Sequence, residues 1–561
     1  MIENNFLVSA SLVDTLFVNA IVSDYENIVN SDIIGISMGY RYQDRLISKW
    51  FAMKNGDMLL LNRFLQEVCD SGKRIIGWDL AVLLVCLKRL GIEVKSEIVD
   101  VALLWRLIDN SIYVSFEDYA RKVGIDLEDF NIIKQRGYFD VDKYNEKCLE
   151  AIERLWREGE AKLNSERFCN AFYRYIMPAV CLAADMTYRG VVVDVAHLKK
   201  LREEWQDDND RIVGLLNERY GVSNINFNSS KQIVDLLRRM GIKKVINTDK
   251  DTLLELFISG FDDVGLILEY RQNERVLDVF DTLLKSVIQK DGYHVVYSRY
   301  KVYQSVTGRW SSSGVNMQNV PKDRLIRSCF KARAGYKLII ADYNQLELRL
   351  AAHFSRDKEL MDIYKNGEDV HSKTASYLQC DRDVAKAMNY ACIYGAGLKT
   401  LRSTLMDETR RDISLDKVKD FRTKFFDKYK GLDLLFRKVS STLKQFGYIE
   451  SLLLRRRKFD IVSDSDVYRN LNEAVHALIS MSASDIMYVV AGELYRYNSA
   501  NEKKIYPLIQ IHDEWVCEVE EDFVDKAVQI LRDIMTNVGL YLQLKVPLVV
   551  NISVGGDWSV K

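Results

Sequence analysis

The chain is 561 residues long, with 79 Lys+Arg against 80 Asp+Glu, 48% apolar residues and 11% aromatics. Such a composition supplies large cores and excludes disordered, collagen-like and mucin-like architectures, and the length predicts roughly two to four domains. The net charge of −1 advertises no phosphate-rich partner. It conceals a polarity, however: residues 1 to 160 hold 19 basic and 26 acidic side chains, net −7, which leaves 60 and 54, net +6, for residues 161 to 561. Nine cysteines without a Cys-x-x-Cys pair fit neither a disulfide framework nor a zinc ribbon and predict a reducing, cytoplasmic setting. Met1-Ile2-Glu3-Asn4-Asn5 lacks a basic leader region, and no apolar run approaches the roughly 18 to 20 residues that span a bilayer, so no membrane partner is expected.

Taken in chain order, Ala20-Ile-Val22 is a short apolar stretch followed by Asp24-Tyr25-Glu26. Ile33 to Met38 predicts a buried strand, and Asp79 to Leu90 an apolar helix stopped by Gly91. A charged helix from about Lys143 to Leu163 closes this α/β unit. Ala196 to Tyr220 reads as a charged amphipathic helix ending at Gly221, and Ser229 or Ser230 caps a second helix that runs to Met240, the two forming an antiparallel helical arm. The apolar run from Tyr336 to Ala341 places Asp342 at a strand's end, before a helix over Leu350 to Phe354. Pro507 to Val519 alternates like two strands joined tightly around His512, Asp513 and Glu514.

Carboxylates at the ends of separate strands, such as Asp342 and Asp513, suit two divalent cations about 3.5–4 Å apart, the arrangement that aligns an attacking hydroxyl with a phosphoryl group. The alternative is a helix cap at Asp342 and a turn residue at Asp513. Between them, Arg382, Lys386 and Tyr390 recur at steps of four, so they share a helix face with Tyr394 at its trailing edge. That face offers two cations to a triphosphate and two rings to a base or sugar, or else it is a solvated basic stripe over core tyrosines.

Asp342-Tyr-Asn-Gln-Leu-Glu-Leu-Arg349, the Arg382 to Gly395 helix and His512-Asp513-Glu514 resemble motifs A, B and C of family A, polymerase I-like DNA polymerases. Thr307-Gly-Arg-Trp-Ser-Ser-Ser313, Asn316-Met-Gln-Asn-Val-Pro321, Asp369-Val-His371 and Gly447 to Arg457 extend the likeness, which runs from about Tyr173 to the C-terminus. The resemblance implies a multidomain α/β protein in which a ribonuclease-H-like exonuclease domain precedes a right-handed polymerase domain with helical thumb, antiparallel-sheet palm and helical fingers. The expected division is exonuclease-like domain 1–165, start of the polymerase domain and thumb 166–300, palm with motif A 301–354, fingers and return helices 355–480, and palm with motif C 481–561. It also implies extension of a primer on template DNA with dNTPs by nucleotidyl transfer. Asp342 and Asp513 would hold two Mg2+ ions, with Mn2+ as an alternative, and Glu514 would be a supporting carboxylate.

Arg382, Lys386 and His371 would hold the triphosphate, with Lys386 the proton donor to pyrophosphate. Tyr394 would lie near the templating base, Arg309 would reach the primer end, and Asn316, Gln318 and His512 would contact DNA. In the family, the glutamate at the Glu347 position excludes a ribose 2′-hydroxyl beside the ring at the Tyr390 position. A tyrosine there is associated with acceptance of dideoxynucleotides. Where the family carries Arg, Asn and Gln to read the minor groove, this chain has Asn472, His476 and Ser480, which puts mismatch sensing in question.

In the N-terminal part, Asp24, Glu26 and Asp79 would be metal ligands of a 3′–5′ proofreading site. The last signature, Tyr-x3-Asp, reads Tyr144-Asn-Glu-Lys-Cys148 here, with Tyr138-x3-Asp142 as a displaced register, and Arg74 stands where an asparagine is expected. A thiol is a poor magnesium ligand, so the domain is read as a silent scaffold against the alternative of an active nuclease. The layout, with no room expected for a separate 5′-nuclease domain, and the details at Val22 to Glu26 and Tyr144-Asn145 look like phage replicative enzymes acting in a bacterial host's cytoplasm. Partners would be primer-template DNA and a replisome helicase, primase or processivity factor. The other classes left open are a single-subunit RNA polymerase, which Glu347 opposes, and a catalytically silent DNA-binding scaffold.

Overall fold

Three strands rich in β-branched and aromatic residues, β1 (Thr15–Val22), β2 (Ile33–Tyr42) and β3 (Arg45–Ala52), pair antiparallel and bury Leu16, Val18, Ile36 and Met38. The computed structural model describes residues 14–42, 45–53, 65–70, 72–110, 114–128, 140–222, 225–242, 245, 247–502 and 504–561; Met1 to Asn5 and Tyr138 lie outside the described residues. β4 (Arg74–Gly77) and β5 (Glu97–Asp100) run parallel to β1, giving the order β3-β2-β1-β4-β5. A parallel neighbour needs a crossover, which the helix Leu80–Arg89 supplies between β4 and β5. Asp79 is not in that helix: it precedes it in the left-handed region, φ 51°. The charged helix Val141–Ser165 is capped by Asp140, whose side chain accepts from the Lys143 N–H, and packs on the sheet through Leu149, Ile152 and Leu155.

The arm predicted from two helices contains four. Val195–Tyr220 packs on Asp263–Ser286, and Ser230–Arg239 and Lys250–Ile258 close a separate small core around Ile212, Leu216, Phe227, Ile233 and Leu253. Ser229 occupies the cap position of its helix without a side-chain cap bond. At the base of the arm, β6 (Val191–Val193), β7 (Ile288–Lys290), β8 (Tyr293–Val296) and β11 (Phe330–Lys331) form a small sheet. β9 (Ser298–Lys301) and β10 (Ser311–Gly314) form an antiparallel pair joined by residues 302–310.

The C-terminal sheet is antiparallel, in the order β15-β16-β12-β17, from β12 (Tyr336–Tyr343), β15 (Ile505–Ile511), β16 (Glu514–Glu520) and β17 (Val550–Gly555). The helix Asp464–Ala500, started by a Ser463/Asp466 capping box, carries a window long and apolar enough to cross a membrane by composition, but 94% of that window is buried inside the protein. Its apolarity therefore answers to core packing.

Three of the four cations in the basic run Arg455-Arg-Arg-Lys458, whose last three residues form β14 (Arg456–Lys458) antiparallel to β13 (Tyr448–Glu450), are engaged in internal ion pairs, and Lys458 is exposed. Arg455 is 1% exposed and pairs with fully buried Asp485 at 2.6 Å, Arg456 pairs with Glu166 and Glu450, and Arg457 pairs with Glu473. Arg455 also donates to the Met481 carbonyl at 2.8 Å and lies over the Tyr303 and Tyr488 rings. Gly308 sits against it with φ +77°, and a Cβ there would lie 2.1 Å from the guanidinium, so only glycine allows this contact. Removing one partner of such a pair leaves an uncompensated buried charge, and Asp485→Ala is expected to cost about 3–5 kcal/mol. Urea unfolding checks this: the midpoint should fall in Asp485→Ala and fall less in the double variant Arg455→Met, Asp485→Leu.

Candidate active site

The β12–β16 register sets Asp342 directly opposite Glu514, and the β15–β16 hairpin turns at His512-Asp513, with His512 in the left-handed region at φ 52°. The Tyr343 N–H donates to the Asp513 carbonyl at 3.3 Å, which ties this turn to β12. The carboxylates crowd one another. Burial and the neighbouring Asp342 push the Asp513 carboxyl up to about 7. Burial also raises Asp342, against the pull of Lys561. Glu514 is 3% exposed and fully engaged: Trp558 Nε1 donates to it at 3.0 Å, Arg327 lies at 3.4 Å and Lys561 at 2.5 Å.

Lys561 Nζ also lies 2.8 Å from Asp342, so one ammonium bridges the two facing carboxylates. Sequence reasoning missed Lys561, Arg327 and Trp558. Nothing local marks them, because each reaches the site from a strand or helix end far along the chain. A cation drawn between Asp342 and Glu514 shows that the site favours positive charge, and its donors are hard carboxylate oxygens, which fit Mg2+ or Mn2+. Among the described residues no cluster of three His, Cys, Asp or Glu is arranged for a metal. Two carboxylates with the remaining donors supplied by phosphate and water is the usual manner of holding Mg2+.

A cavity of about 580 Å³ opens beside these groups, walled by Arg309, Gln318, Glu347, Tyr390, His512 and Asp513. Arg309 pairs with Glu347 at 2.6 Å. Ser480, fully buried, lies 3.5 Å from Glu347 and 3.3 Å from His476, and the Tyr394 ring packs on His476 at 4.7 Å. Asn472 donates to the Gly395 carbonyl at 2.9 Å. Gln318 is turned to the Gln510 carbonyl at 3.0 Å, whereas Asn316 is exposed and caps the short turn Met317–Asn319.

The helix Arg382–Ile393 carries exposed Arg382 and Lys386 and half-buried Tyr390 on one face, with Tyr394 at its end. Arg382 is held by Asp369 at 2.9 Å. His371 is 3% exposed and stacks at 5.8 Å on Tyr390. Asn389 Nδ2 lies 3.0 Å from its Nδ1, and an amide donor there makes Nδ1 the acceptor and leaves the proton on Nε2. Burial, with help from Arg382 and Lys386, pushes His371 down to about 4, although Asp369 opposes the shift. At neutral pH it therefore offers a hydrogen bond and no charge, unlike its two cationic neighbours.

In the N-terminal part, Asp24 is exposed and its carboxylate accepts from the N–H groups of Glu26 and Asn27, at 2.9 and 3.3 Å. Asp79 and Glu26 instead meet cations of β9: Arg299 lies 2.5 Å from Asp79, and Lys301 2.6 Å from Glu26. Burial would raise both carboxyls, but these cations outweigh it and hold both below the usual range. Asp100 accepts from the N–H groups of Leu80 and Leu103, and burial beside Asp79 pushes it up to about 6. Tyr144 and Cys148 are buried in the helix Val141–Ser165, and burial pushes the thiol up to about 12, so it is not a thiolate at neutral pH.

The sequence profile of DNA polymerase family A matches residues 195–560. DNA polymerase I of Helicobacter pylori is 29% identical over 516 residues, covering 87% of this chain and 55% of that protein. DNA polymerase I of Chloroflexus aurantiacus is 30% identical over 440 residues, covering 73% of this chain and 45% of that protein. The chain thus spans about half the length of the curated relatives it matches. The fold is similar to that of the POL domain of Pol1 from M. smegmatis, solved in complex with DNA primer-template and dNTP, with a TM-score of 0.84, 24% identity, and coverage of 99% of this chain and 98% of that one.

The shift at His371 has a measurable consequence. Because the folded chain releases the His371 proton near pH 4 and the unfolded chain near its ordinary 6.5, the stability it contributes is full above about pH 6.5 and is lost as pH falls through that window. Urea-unfolding free energies of His371→Asn should accordingly fall less steeply between pH 6.5 and 4 than those of the unaltered protein.

Proposed function

The chain belongs to DNA polymerase family A, and from that premise we propose that it is a DNA-directed DNA polymerase that extends the 3′ end of a primer on a DNA template with dNTPs. The observation that carries the reading is Asp513, crowded by Asp342, on the wall of a cavity that Arg309, Glu347 and Tyr390 also line. Asp342 and Asp513 would hold Mg2+, or Mn2+, with Glu514 as the supporting carboxylate. When bound, the ions supply Lewis-acid stabilisation of the transferring phosphoryl group. Arg382 and Lys386 neutralise the triphosphate, Lys386 protonates the departing pyrophosphate, and His371 adds a neutral donor. Glu347 and Tyr390 select the sugar, and Arg309, Asn316, Gln318, His512 and Tyr394 contact primer-template. Lys561, 2.8 Å from Asp342, would compete with a metal for the charge of that carboxylate.

The N-terminal sheet order, β3-β2-β1-β4-β5, supports a ribonuclease-H-like domain. The pairing of Asp79 and Glu26 with protein cations and the buried neutral Cys148 support its being silent as a proofreading nuclease. We read the polymerase as a phage replicative enzyme of a bacterial cytoplasm, on the details at Val22 to Glu26 and Tyr144-Asn145, with a helicase, primase or processivity factor as partners. The single-subunit RNA polymerase reading is disfavoured by Glu347 on the cavity wall, and comparison of rNTP and dNTP incorporation separates the two.

Primer extension tests the assignment. Asp513→Ala should lower extension by at least about 10²–10³-fold, the scale on which a principal electrostatic group acts, while primer-template binding by fluorescence anisotropy is retained; unchanged extension contradicts the mechanism. Dideoxynucleotides should terminate extension readily in the unaltered enzyme and poorly in Tyr390→Phe.

A further inference from the structure

Two of the three acidic residues expected to hold metal in the N-terminal domain, half-exposed Glu26 and partly buried Asp79, meet the β9–β10 hairpin. Arg299, 6% exposed, donates to Asp79 at 2.5 Å and to the Tyr25 carbonyl at 2.8 Å. Lys301 reaches Glu26 at 2.6 Å. On the paired strand, Gly314 lies at φ +73° with its Cβ position 3.0 Å from the Glu26 carbonyl, an approach closer than ordinary side chains make. The contact thus has four parts: two ion pairs, one hydrogen bond to a backbone carbonyl and one close backbone approach.

The same hairpin reaches the polymerase cavity. Its connecting residues, 302–310, carry Arg309, whose N–H is held by Ser305 at 2.9 Å and whose guanidinium pairs with Glu347 at 2.6 Å. Arg309 is therefore eight residues from Lys301, on a segment anchored on one side by the N-terminal carboxylates and on the other by the buried Arg455–Asp485 pair behind Gly308.

We propose that Glu26 and Asp79 are the acidic half of an ion-pair latch onto Lys301 and Arg299, and that this latch positions the β9–β10 hairpin and hence Arg309 at the primer side of the polymerase cavity. The two carboxylates are positioning residues for nucleotide addition in place of metal ligands. A cation of the protein itself occupies the role that a divalent ion would take, and the N-terminal domain acts on the polymerase site through the hairpin. The inference rests on the primer-extension reading for its functional half, and on geometry alone for its structural half.

The experiment uses the full chain with Glu26→Gln and Asp79→Asn, singly and together, and a charge-exchanged pair, Glu26→Lys with Lys301→Glu. Hydrogen exchange reads the latch without any activity: amides of residues 298–314 should exchange faster in the neutralised variants, those of β12 and β16 should be unchanged, and protection should return in the exchanged pair. Steady-state extension reads its consequence: KM for primer-template should rise about fivefold, the scale of coupling between charged neighbours, with kcat within about twofold and recovery in the exchanged pair. Hairpin exchange and KM both equal to the unaltered enzyme overturn the proposal. So does Mg2+-dependent 3′ shortening of a mismatched primer that is lost in Asp79→Asn, because the carboxylates would then hold metal. If no variant or parent extends primers, the polymerase reading fails while the exchange measurement still decides the latch.

Discussion

The antiparallel register of β12 with β16 is the constraint on which the site depends. Side chains alternate faces with a period of two, so pairing Asp342 with Glu514 sends both carboxyls to one face and leaves Asp513 in the adjoining turn. A slip of one residue would turn Asp342 away and replace it by a neighbour. Apolar burial holds the register: Leu338, Ile339, Ile340 and Ala341 are all essentially inaccessible, as are Trp515, Val516 and Cys517 opposite them. Since β12 is paired on both edges, by β16 and β17, slippage would break two ladders at once.

Two groups of carboxylates in this molecule meet opposite fates. At the C-terminal sheet, burial and mutual repulsion outweigh the available cations, so Asp342 and Asp513 hold their protons more tightly than ordinary carboxyls do. At the N-terminal sheet, Arg299, Lys301 and Arg106 outweigh burial, and Glu26 and Asp79 are ionised more readily than usual. The first group is undercompensated and calls for positive charge, which Lys561 partly answers. The second is already compensated by the chain. The difference lies in which cations the tertiary structure brings near, since the residue types are the same.

Charge along the chain follows a similar logic. The excess of positive charge after residue 160 coincides with the portion that matches the family, but in its densest run Arg455, Arg456 and Arg457 are engaged by Asp485, Glu166, Glu450 and Glu473, which leaves Lys458 as the exposed cation of the four. Arg382 is exposed but held by Asp369, and Lys386 is exposed on the same helix face. Counting basic residues overstated the surface available to phosphate, because a count carries no information on pairing.

By itself the sequence determined what periodicity and local chemistry encode. The four-residue spacing of Arg382, Lys386 and Tyr390 became one helix face, the apolar run to Ala341 became a strand with Asp342 one residue from its end, and the hairpin around Asp513 formed where alternation and a polar turn required it. These are short-range consequences of backbone geometry, legible within a dozen residues. Tertiary structure decided which charges meet. Lys561 between Asp342 and Glu514, Arg299 on Asp79, Lys301 on Glu26 and Arg455 on Asp485 join residues separated by 30 to 275 positions. No window of sequence contains such pairs, and the sign and size of each carboxyl's shift follow from them, because burial and the nearest opposite charge act through space and not along the chain.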